Sequence, residues 1–97
     1  MIEFEWDDTK ALKNIVKHGV SFKEAESVFA DVFGLEETDD EHSQTEIRWL
    51  LIGLSSLQRL LVTVYTERGS KIRLISSRRA NAKERKTYQT YRRSHGG

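Results

Sequence analysis

The sequence predicts an α+β fold: one small domain with the element order β-α-α-β-β-β-β-α, in which helices cover one face of an antiparallel sheet. Three observations lead there. A chain of 97 residues suffices for a single modest core. Helical periodicity dominates the first third, whereas strand periodicity fills most of the second half. The turn signals "SSLQ" and "RGS" separate the last three strands so closely that these should pair as an antiparallel meander.

Each element has its own warrant. "IEFEW" alternates apolar and acidic residues, which sets Ile2, Phe4 and Trp6 on one strand face. Asp7 or Asp8 can cap the helix that follows, and Ala11, Leu12, Ile15 and Val16 give it an apolar stripe. "KHGVSF" then turns a corner. Lys17 and His18 suit the negative end of a helix dipole, and Gly19 can take the left-handed conformation. Ser21 and Glu24 have capping-box spacing for a second helix, from about Phe22 to Ala30. "DVFGLEE" is a short strand candidate, and "TDDEHSQTE" reads as an exposed acidic loop. "EIRWLLIGL", apolar on both faces, reads as the central strand. "RLLVTVYTE" sets Leu60, Val62 and Val64 against Leu61, Thr63 and Tyr65. "KIRLISS" sets Ile72 and Leu74 against Lys71, Arg73 and Ile75. Asn81 and Glu84 imitate a capping box at the start of a last helix, which runs to about Tyr91. The domain is expected to span residues 1–93, with residues 94–97 a flexible tail.

Composition narrows the function classes. With no cysteine there is no disulfide framework and no thiolate metal site. The N-terminal stretch lacks the basic and apolar regions of a signal peptide. No apolar run approaches the roughly 20 residues that cross a bilayer. A cytoplasmic protein without a membrane partner is therefore expected. The net charge of +1 conceals a strong asymmetry. Residues 1–47 hold 4 Lys+Arg and 13 Asp+Glu, whereas residues 48–97 hold 12 and 2. A basic half of this kind can meet a polyanion; alternatively, the halves pair with each other in the fold.

The cations stand where a core would not want them. Arg73 lies inside a strand, Arg78 and Arg79 lie where that strand ends in "SRRA", and Arg48 opens the central strand. With Tyr65 they would make a basic sheet surface carrying one phenol. Guanidinium suits two-pronged contact with phosphate, and tyrosine can stack on a base or donate its hydroxyl. The plainer reading is arginines with buried stems and a core tyrosine. Cleaving RNA without a metal requires a base for the 2′-hydroxyl, cations for the phosphate and an acid for the leaving oxygen. His18 has the right pKa class, and Glu67 is either a base or an ion-pair partner. His42, in the acidic loop, and His95, in the tail, are weaker candidates. Lys17 can meet a phosphate. In the last helix, Tyr88 and Tyr91 interleave with Lys83, Arg85, Lys86, Arg92 and Arg93. Such a pattern reads RNA or packs on a sheet; Arg85 and Tyr88 are its RNA-binding candidates. No metal-ligand spacing, glycine-rich phosphate loop or nucleophile elbow is present, so neither metal nor cofactor is expected.

The stretches "FEWDDTKALKNIVKHGVSFKEAESVF", "RWLLIGLS", "LLVTVYTERG" and "KIRLISSRRANAKERKTY" together resemble the BrnT family of bacterial toxins over about residues 4–88. "KHGVSF" with "RLISSRRA" is the more specific pair, since the two are far apart and in order. The resemblance implies a RelE-like fold and a ribonuclease toxin of a type II toxin–antitoxin module, which acts on RNA and thereby arrests growth. It implies neutralisation by a BrnA-type antitoxin carrying a ribbon-helix-helix part, and operator DNA met only through that complex. The positions it singles out are Lys17, His18, Arg48, Tyr65, Arg73, Arg78 and Arg79. Where the family often has proline, this chain has Asp8, which affects only how the first helix starts. The antitoxin is expected to lie against the basic sheet or the last helix; the alternative is that it grips the acidic helices of the first half and leaves the RNA surface open. The competing readings are a non-catalytic nucleic-acid-binding module and a protein-interaction module, both using the same basic surface.

Overall fold

A computed structural model describes residues 2–96; Met1 and Gly97, at the ends of the expected domain and tail, lie outside the described residues. The elements are β1 (Glu3–Glu5), α1 (Asp8–His18), α2 (Phe22–Ser27), β2 (Leu35–Thr38), β3 (Trp49–Leu54), β4 (Leu60–Arg68), β5 (Lys71–Arg79) and α3 (Ala82–Ser94). Short 3-10 turns follow α2, at Val28–Ala30, and β2, at Asp40–His42. The expected element order is thus present. The last helix runs past Tyr91 to Ser94.

Local chemistry sets the helix ends. Asp7 accepts the Lys10 N–H at 3.0 Å and starts α1. Gly19, at φ 68°, closes it, and its N–H donates to the Ile15 carbonyl at 2.8 Å. Ser21 starts α2 by accepting the Glu24 N–H at 3.0 Å. This is only half of the expected capping box, because the Glu24 carboxylate turns away to Arg59 and Ser55. The Asn81–Glu84 box at α3 is complete, with both bonds at 2.8 Å.

The sheet order is β1-β5-β4-β3-β2. The β2-β3-β4-β5 run is antiparallel as expected, but β1 pairs parallel to β5, so the sheet is mixed rather than antiparallel throughout. A parallel neighbour needs a crossover rather than a hairpin. Here Glu5 meets Arg73 across 68 residues, a pairing that no local turn signal announces. Adding β1 also makes β4 the middle strand and leaves β3 as an inner neighbour of the rim.

Helices cover both faces rather than the one expected, because the strands are apolar on both sides. Phe22, Ala25 and Val28, from the α2 region, pack with Leu51, Leu61, Tyr65 and Leu74 on one face. Tyr88 of α3 packs with Ile52 and Val62 on the other. Gly53 lets the turn after α2 approach closely: a Cβ there would meet the Val28 carbonyl oxygen at 3.1 Å.

Helix α1 sits differently from its apolar pattern. Leu12, Ile15 and Val16 are 67%, 45% and 89% exposed, whereas Asn14 is buried. The cause lies in β5, which β1 pairs only at Lys71–Arg73. Beyond Arg73 the β5 edge needs polar partners. Asn14 Nδ2 donates to the carbonyls of Ser77 at 2.8 Å and Val20 at 2.9 Å, and Asn14 Oδ1 accepts the Ser77 N–H at 3.0 Å. The helix therefore turns an amide, not its apolar stripe, toward the sheet edge.

Two stability predictions follow from this packing. Asn14→Ala strands buried backbone groups and should cost about 3 kcal/mol or more, seen as a lower urea midpoint. Gly19→Ala has open space around it but must hold a side chain at positive φ, and should cost about 1 kcal/mol in the same measurement.

Candidate functional site

Strand β5 does not alternate strictly. Val64 pairs with Ser76 and Tyr65 with Leu74, so Ile75 is an extra, bulged residue. The bulge decides which arginines share a face. Arg73 lies opposite Thr66 and Arg78 opposite Val62, two residues of the same parity on β4. Both therefore project on the α3 side of the sheet. Arg79, opposite Leu61, projects on the other. Without the extra residue, Arg73 would share its face with Arg79 instead. Four β4 residues at about 3.3 Å each set Arg73 and Arg78 roughly 13 Å apart. Arg48 directly precedes Trp49, which pairs with Tyr65, so Arg48 continues this face beside Thr66. Arg68, opposite Lys71, lies at its end.

Each of three arginines faces a carboxylate. Arg73 Nη1 donates to Glu5 at 2.9 Å and Arg68 Nη2 to Glu46 at 2.9 Å. Arg78 grips Glu84 with two bonds of 2.8 Å. That guanidinium, followed by the Asn81 N–H, holds the Glu84 carboxyl below its ordinary range, and the pairing raises Arg78 in turn. Glu46 is lowered chiefly by Arg68, with Arg48 and Arg73 adding charge. Between Arg48 and Arg73, Thr66 is fully buried, and its hydroxyl has no protein partner.

Three cavities border this surface or its edges. One of about 470 Å³ lies between α3 and the sheet and is lined by Glu37, Leu50, Val62, Lys83 and Glu84 among others. A second, of about 280 Å³, opens where α1 meets β5: Lys10, Lys13, Asn14, Lys17 and His18 face Ile75 and Ser76. A third, of about 210 Å³, gathers Arg59, Arg79 and Arg85. Among the described residues no three His, Cys, Asp or Glu side chains converge as metal ligands.

The expected site residues thus divide. Arg48, Arg73 and Arg78 share the open sheet face. Lys17 and His18 stand together in the edge cavity, against the strand that carries those arginines. Arg79 and Arg85 gather elsewhere. Glu67, opposite Ile72, is exposed on the face away from Arg73. Tyr65 is not on the basic surface: it is buried in the α1/α2 core with its hydroxyl donated to Glu36. Burial, then Glu36, pushes its phenol well above the usual range. Tyr88 is also buried, donating to Asp31 at 2.6 Å. Sequence reasoning missed Glu5, Glu46, Glu84 and Ser76 as members of the site. Only Glu84 left a signal, its capping-box spacing from Asn81.

The fold and this surface define a small α+β domain with a mixed sheet that carries paired guanidiniums and a lysine-lined edge. Residues 6–84 match the model of a family described as the ribonuclease toxin BrnT of type II toxin–antitoxin systems, and the chain belongs to that family. It is similar in structure to the ribonuclease toxin BrnT of Brucella abortus, known from a 1.1 Å crystal structure. That likeness has a TM-score of 0.61 at 23% identity and covers 84% of this chain and 99% of the other. It supports the fold. No curated protein sequence is significantly similar to this chain. No helix is long and apolar enough to cross a membrane among the described residues.

Acid should weaken the fold. Glu24 and Glu84 both have folded pKa values below their ordinary 4.5, chiefly through Arg59 and Arg78. Their stabilisation is complete above the unfolded value and is lost as pH falls through the lowered folded values. Thermal midpoints should therefore drop as pH falls below about 4.5, and Glu24→Gln combined with Glu84→Gln should flatten that drop.

Proposed function

We propose that this chain is a metal-independent endoribonuclease on a RelE-like scaffold, a cytoplasmic toxin neutralised by a BrnA-like ribbon-helix-helix antitoxin and in contact with operator DNA only through it. The observation that carries the reading is the β5 bulge, which sets Arg73 and Arg78 on one open face, each held by a carboxylate. On this reading the scissile phosphate displaces a carboxylate from its arginine. The released Glu5 or Glu84 is then at hand as a base, and Arg48 adds charge to the same face. The backbone enters over the β5 edge, past Lys17 and His18, with Ser76 between the two regions. His18 is the candidate acid. Arg79 and Arg85 extend the phosphate path at the far end of the sheet. Tyr65 and Tyr88 act on the fold rather than on RNA, and Glu67, exposed on the face away from Arg73, lies off the path.

One observation favours a rival. Among the described residues Arg48, Arg73 and Arg78 have no histidine as a hydrogen-bond partner, and RNA binding without cleavage would use the same arginines. Purified protein incubated with bulk RNA and EDTA decides between them. Cleavage that survives EDTA and is lost in Arg73→Ala and Arg78→Ala supports the enzyme. Salt-sensitive binding with intact RNA supports the rival. Lysine at either position should restore less than a tenth of the activity, because it lacks the planar fork.

A further inference from the structure

Buried hydroxyls in this protein have partners, with one exception among the described residues. Thr63 Oγ1 pairs with Ser77 Oγ at 3.0 Å, Ser55 Oγ donates to Glu24 at 2.7 Å, and the phenols of Tyr65 and Tyr88 donate to Glu36 and Asp31. Thr66 is the exception: it is fully buried, and its hydroxyl has no protein partner. Stranding a buried hydroxyl costs stability, and valine, of the same shape, would fill a strand position without that cost. The surroundings explain why no partner is at hand. Along β4 the same-face neighbours of Thr66 are Val64 and Arg68, and across the sheet they are Arg73 and Arg48. Three of these four carry guanidiniums, which donate and cannot accept. Arg73 and Arg68 are bonded to Glu5 and Glu46. Glu46 is held below its ordinary range by Arg68 first, then by the charges of Arg48 and Arg73. The hydroxyl thus lies within a ring of cations and lacks an acceptor.

We propose that Thr66 is a phosphate-contacting residue: its hydroxyl donates to a non-bridging oxygen of an RNA phosphate drawn in by Arg48 and Arg73. The proposal rests on the RNA reading above and adds an uncharged contact to that site. Donors converge from three strands, Arg48 at the start of β3, Arg73 on β5 and the hydroxyl on β4 between them. That arrangement suits a tetrahedral oxyanion better than a planar carboxylate, which a single guanidinium fork already satisfies. Entry requires the Arg73–Glu5 pair to part, since long arginine side chains are three of the four same-face neighbours of Thr66. The pair is open enough to do so, its side chains being 29% and 30% exposed, and half-open pairs are loosely held. A phosphate oxygen arriving there meets two needs at once. Arg73 gains an anion in place of Glu5, and the hydroxyl gains the acceptor that the fold does not supply.

The test uses the whole chain and a short 2′-O-methyl oligoribonucleotide, which presents an RNA backbone with no 2′-hydroxyl to react. Thr66→Val keeps the shape and removes the hydroxyl, whereas Thr66→Ser keeps the hydroxyl. The valine variant should bind about tenfold more weakly, the weight of one hydrogen bond to a charged oxygen, and the serine variant should bind like the parent. Because the lost group is neutral, the slope of log affinity against log salt should stay at the parent's value. The thermal midpoint of the valine variant should equal or exceed the parent's, since no protein hydrogen bond is lost. If the parent does not bind the oligonucleotide, the RNA reading fails and the proposal with it. If the parent binds and the valine variant binds equally well, the Thr66 contact alone is overturned. A weaker valine variant with a shallower salt slope also overturns it, because the hydroxyl then acts only by placing the arginines. A lower midpoint with parental affinity makes the hydroxyl structural and overturns it too. If valine prevents folding, Thr66→Ala is read in the same way for affinity and salt slope.

Discussion

Everything on the β5 side of the molecule hangs on the Asn14 amide. Strand β1 is too short to pair the whole of β5, and a bare strand edge in a buried region is costly. One side chain fills the gap by acting as a single residue of backbone: it donates to and accepts from Ser77 and then reaches the Val20 carbonyl. This contact fixes the height of α1 along the strand and the exit of the chain after Gly19. It also sets which residues of α1 look at β5. Lys10, Lys17 and His18 lie within a turn of Asn14 and so line the same crevice. The site at the edge is a by-product of how the edge is closed.

The charge asymmetry of the sequence ties the two halves of the chain together. Arg59 of the basic half grips Glu24 of the acidic half, with Nε to Oε2 at 2.9 Å, and also donates to the Gly19 carbonyl at 3.1 Å. Arg73–Glu5 and Arg68–Glu46 likewise join the halves. The Arg59 pair is largely withdrawn from water and orders the corner. The other two are half-open and contribute little to stability. An exposed pair of that kind is loosely held, which leaves its guanidinium available to a stronger anion. The idea that the halves pair with each other and the idea that the basic half meets a polyanion are therefore not rivals: Arg59 is committed to the first, whereas Arg73 and Arg68 are open to both.

The order of elements was legible because periodicity and caps are local. Gly19, Ser21 and the Asn81–Glu84 box mark their boundaries by residue type alone. What was not legible is long-range. Nothing near Glu3–Glu5 names β5 as its partner. The outward turn of Leu12 and Val16 follows from the needs of a strand more than 60 residues away, as Asn14 and Ser77 show. At the site, arginines announced themselves inside a strand, but Ile75 gives no sign of being a bulge, and strict alternation would have assigned Arg78 to the wrong face. Tyr65 looked like a site residue because its strand carries it beside arginines in sequence. The pleat then sends its ring to the opposite side, against Phe29 at 5.0 Å.

The two rims of the sheet have a consequence for self-association. Strand β1 has 3 residues and β2 has 4. Between them these rims carry Glu3, Glu5, Glu36 and Glu37. Unpaired strand edges are templates on which further strands grow, and short length with charge is how a chain blunts them. Two copies brought rim to rim would oppose glutamate to glutamate over too few hydrogen bonds to compensate. The sheet is thereby kept from growing into fibrils through its own rims.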